Sequence, residues 1–122
     1  MILVDTSVWI DHLHKTNDTL VSALEHEQVL VHPFVIGELA CGRLSNRSEV
    51  LRLLQTLPSA TIASDAEALE LIERHQLSGK GVGYFDVHLL ASVLLTAGTQ
   101  LWTRDKRLAE IAIRLRCAFH IA

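Results

Sequence analysis

The sequence predicts an α/β fold built around a mostly parallel sheet. Short apolar runs alternate with segments whose apolar residues recur every three or four positions, as strands and crossover helices do. A parallel sheet of this kind is covered by helices on both faces. The chain has 122 residues and no long linker, low-complexity tract or internal repeat, which predicts a single domain over 1–122.

The predicted elements follow one another in regular order. Strands are expected at 2–4, 29–32, 60–63, 100–102 and 117–121. Helices are expected at 7–14, 19–27, 33–43, 48–57, 65–76, 84–97 and 106–116. Pro33 suits the first turn of a helix, and Gly98 suits a helix end. Ser64 and Glu67 have the spacing of a capping box, which marks another helix start.

Composition narrows the class of protein. Hydrophobic residues make up 49% of the chain, which is slightly high for a monomer and hints at a buried interface. No apolar run approaches the ~20 residues needed to span a bilayer, and the N-terminus lacks the features of a signal peptide. Cys41 and Cys117 lie far apart without a C-x-x-C pattern, so a reducing, cytoplasmic setting is expected. The net charge of −3 does not exclude a nucleic-acid partner, because bound cations would offset it.

Four acidic residues occupy unusual places in this pattern. Asp5 follows the first strand and Asp105 follows the strand at 100–102, each just before a helix. Glu38 lies in the apolar helix after the second strand, and Asp86 begins the most apolar helix of the chain. Ligands of parallel sheets bind beyond the carboxyl ends of the strands, so three of these acids should lie at or near one edge. Each acid could instead cap a helix, or, for Glu38, pair with a nearby arginine.

Carboxylates gathered at one edge would repel one another unless a cation neutralised them. An all-oxygen set of ligands selects Mg²⁺ or Mn²⁺ over softer metals. A divalent cation held in this way can activate water and stabilise the charge that builds on a phosphodiester during in-line displacement. The pattern of acids therefore points to a metal-dependent nuclease.

The chain resembles PIN-domain proteins, in particular the small VapC-like toxins of bacterial toxin–antitoxin ribonucleases. The resemblance covers essentially the whole length and rests on four motifs: ILVDTSVWID with Asp5, VIGELACGR with Glu38, GYFDVHLLAS with Asp86 and LWTRDKRL with Asp105. It implies a three-layer α/β/α fold, Mg²⁺- or Mn²⁺-dependent endoribonuclease activity, a homodimer and a cognate antitoxin that blocks the site. All four acids are then both catalytic residues and metal ligands. Thr6, Ser7 and Thr103 match the hydroxyl-bearing positions of the pattern, from which they would orient carboxylates or water.

The resemblance also directs attention to two apolar helices beside the acids. Each helix carries apolar residues on more than one face, which is more than a single core contact requires. These residues are Val8, Trp9, Ile10, Leu13, Phe34, Val35, Ile36 and Leu39. We expect a short antitoxin whose C-terminal segment crosses helices 7–14 and 34–42 and directs a basic residue toward Asp5, Glu38 and Asp86.

Other polar residues give weaker signals. The seven histidines show no H-x-x-x-H pattern, and His12, His14 and His88 are expected at the surface or in satisfied positions. The SGKGVG segment lacks the spacing of a P-loop, so its glycines should serve a tight turn. Basic residues near the motifs are candidates for phosphate contacts; they are Arg43, Arg47, Lys80, Arg104, Lys106 and Arg107.

Three alternatives remain open from sequence. The same metal site could cut DNA, because nothing in the residues reveals a contact to a ribose 2′-hydroxyl. The fold could also serve as a non-catalytic binding module, although four intact acids speak against that. A phospho-acceptor signalling domain would carry adjacent acids after the first strand, where this chain has Asp5-Thr6-Ser7.

Overall fold

In the computed structural model, which describes residues 1–120, a parallel three-stranded sheet forms the centre of the molecule. The strands are β1 (Ile2–Val4), β2 (Val29–Leu30) and β3 (Gln100–Trp102), in the order β2-β1-β3. Ile2 pairs with Val29 on one side and with Gln100 on the other. The predicted α/β fold with a parallel sheet is confirmed.

Two single bridges extend the sheet by one pairing at each edge. Val31 bridges Ser59, and Leu101 bridges Ala118, both in parallel orientation. The prediction of a strand at 60–63 was therefore wrong, since only Ser59 pairs and residues 60–64 form no regular structure. At 117–121, the described residues form only the bridge at Ala118, and position 121 lies outside the described part of the chain.

Within residues 1–120 seven helices surround the sheet and complete the three-layer α/β/α arrangement. They are α1 (Thr6–His14), α2 (Asp18–Glu25), α3 (Pro33–Cys41), α4 (Arg47–Thr56), α5 (Asp65–His75), α6 (Tyr84–Leu95) and α7 (Lys106–Arg114). Pro33 opens α3 as predicted. The Ser64 hydroxyl accepts from the N–H of Glu67, whose carboxylate accepts from the N–H of Ser64, so the predicted capping box is present. Among the described residues no helix is both long and apolar enough to cross a bilayer.

Burial along β1 shows that both faces of the sheet are covered. Successive strand residues point to opposite faces, yet Ile2, Leu3 and Val4 are all buried. Asp5 continues this strand, and its backbone N–H donates to the carbonyl oxygen of Trp102 at 2.9 Å. The carboxyl ends of β1 and β3 therefore lie side by side, with α1 and α7 starting just beyond them.

Candidate metal centre

Asp5 is a buried carboxylate that is held by three hydrogen bonds. Its side chain is at the N-cap of α1, where Oδ1 accepts from the N–H of Thr6 at 2.7 Å. Oδ2 accepts from the hydroxyls of Ser7 at 2.9 Å and Thr103 at 2.6 Å. A carboxylate has about four lone-pair positions, so one position, on Oδ1, remains for a further partner such as a cation.

The hydroxyls of Ser7 and Thr103 also fix the segment that carries the last acid. The Ser7 hydroxyl accepts from the N–H of Arg104, and the Thr103 hydroxyl accepts from the N–H of Asp105, each at 3.0 Å. The first and last motifs of the chain are thereby joined through two side chains. The hydroxyl-bearing positions identified from sequence lie where they can orient Asp5.

Asp105 caps α7. Its Oδ1 accepts from the N–H groups of Arg107 and Leu108, at 2.9 and 3.0 Å. The capping interpretation of this residue is therefore correct, as it is for Asp5. Capping and metal binding do not exclude one another, because Oδ2 of Asp105 makes none of these bonds and the residue is exposed.

Asp86 lies in the first turn of α6 and is half-buried. Its Oδ2 accepts from the N–H of Gly83 at 3.4 Å, a long and weak bond. Burial raises the pKa of the Asp86 carboxyl group, and the negative charge of Asp5 raises this pKa further. The N–H of Gly83 lowers the pKa to a lesser extent, and smaller increases come from Asp105 and Glu38. The negative charges of the other three acids therefore all disfavour ionisation of Asp86.

Glu38 differs from its sequence description. It lies in an apolar helix, yet the residue is exposed on α3. Its Oε1 accepts from the hydroxyl of Thr6 at 2.8 Å, so α1 and α3 are linked beside Asp5. Neither Arg43 nor Arg47 forms an ion pair with it among the described residues; Arg47 instead donates to the carbonyl oxygen of Ala40. The arginine-pairing alternative for Glu38 was wrong.

The four acids are close enough to interact but do not form a closed metal cage. Within residues 1–120 no three His, Cys, Asp or Glu side chains are placed to enclose an ion by themselves. Magnesium dehydrates reluctantly and is often held by one or two carboxylates with several waters. A hydrated cation of this kind fits the site for three reasons. Asp5 has one free lone-pair position, the ionised form of Asp86 is disfavoured without a cation, and all the candidate ligands are oxygen atoms. The role of the four acids as ligands stays a prediction.

Two basic residues that lie close to Asp105 in sequence contact other parts of the protein. Arg104 pairs with Asp11 of α1. Arg107 lies against Gly81, where a Cβ would come within 2.5 Å of its Nη1 atom. Gly79 and Gly81 have positive φ values of 73° and 80°, which supports the prediction that these glycines serve a turn before α6. Arg107 is therefore the basic side chain that the structure places against the loop leading to Asp86.

The helices that carry Glu38 and Asp86 also bring together an aromatic cluster that was not expected from the sequence. The rings of Phe34 and Phe85 stack with centroids 4.4 Å apart and planes inclined by 26°. His88, expected at the surface or in a satisfied position, is buried and contacts both Phe34 and Tyr84 edge-on. These residues come from α3 and α6, and no local pattern could have indicated that the two helices bring them together.

Two comparisons with known proteins agree with this architecture. Residues 2–114 match the PIN domain family. The chain is also 48% identical over 108 residues to Ribonuclease VapC32 of Mycobacterium tuberculosis strain CDC 1551 / Oshkosh, an alignment that covers 88% of this chain and 87% of that protein. The same figures hold for Ribonuclease VapC32 of strain ATCC 25618 / H37Rv. The chain therefore belongs to the PIN-domain family and is VapC-like within it.

Proposed function

We propose that this protein is the toxin of a type II toxin–antitoxin pair and acts as a Mg²⁺- or Mn²⁺-dependent endoribonuclease in the cytoplasm. The observation that carries the proposal is the placement of Asp86, whose pKa is raised first by burial and then by the negative charges of Asp5, Asp105 and Glu38. A site that concentrates like charge in a partly buried position needs a cation to be stable when ionised.

Each acid has a role that follows from its surroundings. Asp5 and Asp86 are the least exposed of the four and would hold the cation. Glu38 and Asp105 are exposed, and each has one oxygen without a hydrogen-bond partner among residues 1–120. They complete the ligand set or position water. When bound, the cation activates water and neutralises charge on the phosphodiester.

Neighbouring side chains orient the acids, and one basic residue is placed to contact the substrate. Thr103 and Ser7 hold the Asp5 carboxylate in one orientation, and Thr6 holds Glu38. Arg107 of α7, whose side chain lies against Gly81 in the loop before α6, is suited to contact the RNA backbone next to the scissile phosphate. In metal enzymes, removal of a residue that orients a metal ligand typically lowers metal affinity or activity by about 10- to 100-fold.

The proposed antitoxin has a groove to occupy. A cavity of about 460 Å³ lies between α1, α3 and α4, and Ile10, Leu13, Leu53 and Glu38 are among the residues that line it. These three apolar side chains are 39–50% exposed. Our expectation from sequence was too broad, because Val8, Trp9, Val35 and Leu39 are buried in the core and cannot all contact a partner. An apolar segment in this groove could present a basic residue to Glu38 and the neighbouring acids.

We also propose that the protein forms a homodimer. The family resemblance supports a dimer, and Leu94 and Leu95 remain 43% and 44% exposed at the end of α6. Light scattering of the purified chain at micromolar concentration tests this directly. A single species of monomer mass would contradict it.

The experiment for the activity compares matched RNA and DNA. Purified protein is incubated with a single-stranded RNA and a DNA of the same sequence, with Mn²⁺, with EDTA, and with Mn²⁺ restored after EDTA. We expect internal cleavage of the RNA alone, in both samples that contain Mn²⁺. Cleavage of the DNA would favour the alternative metal-dependent DNA nuclease, and cleavage that persists in EDTA would contradict the metal requirement.

A further inference from the structure

Half of the aromatic residues of the chain meet at one place beside the acids. The chain has only six Phe, Trp and Tyr residues. Phe34 lies in the first turn of α3, four positions before Glu38 and therefore on the same side of the helix. Tyr84 and Phe85 directly precede Asp86 at the start of α6. Phe34 thus shares a helix face with Glu38, and Phe85, which stacks on Phe34, lies in the same helical turn as Asp86.

Two rings of this group are exposed, and Tyr84, at 40% exposure, is held through its hydroxyl by Asp65. Phe85 stacks on Phe34, with centroids 4.4 Å apart, and is 49% exposed. Phe34 and Phe119, the other two phenylalanines, are only partly exposed, so Phe85 presents the most accessible phenylalanine ring. Stacking on Phe34 covers one face of the Phe85 ring, so a planar ligand would have to stack on the opposite, outer face.

The support beneath the Phe85 ring is rigid. His32 is fully buried, and its Nδ1 accepts from the N–H of Phe34 at 3.0 Å. Burial and the neighbouring His88 lower the pKa of His32 to about 4, so this imidazole packs against Phe34 in its neutral form. His88 contacts Phe34 from a second side, with ring centroids 5.1 Å apart.

A hydrogen-bonded bridge to α5 fixes the remaining parts of the cluster. Asp65 Oδ1 accepts from the Tyr84 hydroxyl at 2.8 Å and lies 3.1 Å from Nε2 of His88. Tyr84 contacts His88 edge-on, with centroids 4.7 Å apart. The rings of Phe34 and Tyr84 therefore have little freedom to rearrange, so Phe85 stacks on a fixed support, which lowers the entropic cost of binding a ligand there.

We propose that the outer face of Phe85 is a stacking platform for one unpaired base of the substrate, placed next to the scissile phosphate. This inference rests on the proposed function and narrows its substrate to single-stranded RNA. Bases in a duplex already stack on one another and cannot reach a side chain, whereas bases in loops and single strands stack on aromatic rings. Stacking tolerates any base, so the platform positions the strand and does not read its sequence.

The test uses four proteins that differ at exposed side chains. They are the wild type, Phe85→Leu, Phe85→Trp and the control Ile113→Ala. Leucine keeps apolar volume but removes the ring, and tryptophan keeps a ring. Ile113 is 55% exposed on α7, eight residues beyond Asp105, so its truncation controls for loss of an exposed apolar side chain. Circular dichroism verifies that all four proteins fold alike.

Binding is measured by fluorescence anisotropy with labelled 12-nucleotide RNAs, oligo(A) and oligo(U), and with an abasic strand of the same length. Ca²⁺ serves as the cation, and a gel verifies that the RNA stays intact. We expect Phe85→Leu to weaken binding of the two base-containing RNAs about tenfold, with Phe85→Trp and Ile113→Ala within twofold of the wild type. The abasic strand should bind all four proteins equally.

Cleavage with Mn²⁺ provides a second readout. Loss of the platform should raise KM about tenfold with little change in kcat, because stacking holds substrate and transition state alike. If the wild type cleaves RNA and Phe85→Leu binds it equally well, the platform is wrong and the proposed function stands. RNA binding that depends on Phe85 without any cleavage supports the platform and overturns the proposed function. A wild type that neither binds nor cleaves RNA overturns both.

Discussion

The hydroxyl of Thr103 donates to Oδ2 of Asp5 at 2.6 Å, and the two residues are 98 positions apart in sequence. The same hydroxyl accepts from the N–H of Asp105 at 3.0 Å. One oxygen atom therefore connects the most buried acid of the site to the segment that carries the last acid. The pairing of β1 with β3 brings these residues together, so the Asp5 carboxylate becomes oriented when the sheet forms.

Replacement of Thr103 by valine should harm both stability and activity. Valine has nearly the same shape but cannot donate to the Asp5 carboxylate, and a hydrogen bond to a charged group contributes about 1.5–3 kcal/mol. We expect a lower free energy of unfolding by that amount in denaturant titrations, and RNA cleavage reduced about 10- to 100-fold. Thr99→Val is the matched control, because Thr99 is buried and its hydroxyl has no hydrogen-bond partner in residues 1–120. Equal effects of the two substitutions would contradict a contribution of the hydrogen bond from Thr103 to Asp5.

Asp86→Asn should stabilise the metal-free protein near pH 7. The folded state raises the pKa of Asp86, so its ionisation disfavours folding, and this loss of stability develops as pH rises above the ordinary aspartate value of about 3.9. Asparagine cannot ionise but can still accept from Gly83. The melting temperature of the variant should exceed that of the wild type at pH 7 in EDTA, and the difference should shrink toward pH 4. A difference that is independent of pH would contradict the assigned origin of the pKa shift.

The four acids should behave as one unit in catalysis. Asp5→Asn, Glu38→Gln, Asp86→Asn and Asp105→Asn should each strongly reduce RNA cleavage while circular dichroism stays native-like. A double variant should lose much less than the product of the two single losses, because groups that act together are not additive. His12→Ala and His14→Ala are controls and should cleave nearly as the wild type does. Wild-type cleavage by Asp105→Asn would reduce that residue to its observed role as a helix cap.

The groove between α1, α3 and α4 should be needed for neutralisation but not for cleavage. Leu53→Asp places a charge among apolar side chains that a partner must cover, while the residue is 50% exposed and tolerates the change in the free protein. We expect loss of antitoxin binding in a pull-down with RNA cleavage unchanged. Ile113→Asp, outside this groove, should bind the antitoxin normally. Retained binding by Leu53→Asp would place the antitoxin elsewhere.

Local signals in the sequence predicted much of the architecture. Pro33 begins α3 and Ser64 with Glu67 forms a capping box because these preferences depend on only a few neighbouring residues. The strand expected at 60–63 failed because an apolar run cannot reveal whether a pairing partner exists; Ile62 is 59% exposed there. Strand pairing is set by the whole fold, and only Ser59 meets the edge of β2.

The candidate site was predictable to a similar degree. Asp5 and Asp105 follow strands that are neighbours in a parallel sheet. Ligands of such sheets bind beyond the carboxyl ends of the strands, so the sequence predicted that both acids lie at that edge. The exposure of Glu38 could not be read from its apolar neighbours, because it depends on how α3 packs beside α1. The stacking of Phe34 on Phe85 likewise arises from packing of α3 near α6, between residues 51 positions apart in the printed sequence.

Direct titration with Mn²⁺ tests the central claim that these acids form one cation site. Calorimetry or electron paramagnetic resonance of the purified protein should show saturable binding in the wild type. Asp86→Asn should bind Mn²⁺ at least tenfold more weakly, whereas His14→Ala should match the wild type, because a hard cation selects the carboxylates. Mn²⁺ should also raise the melting temperature of the wild type, by the equivalent of ~2.7 kcal/mol at a hundredfold excess over Kd. A wild type that shows no saturable Mn²⁺ binding, or an Asp86→Asn variant that binds Mn²⁺ as tightly as the wild type, would contradict the account.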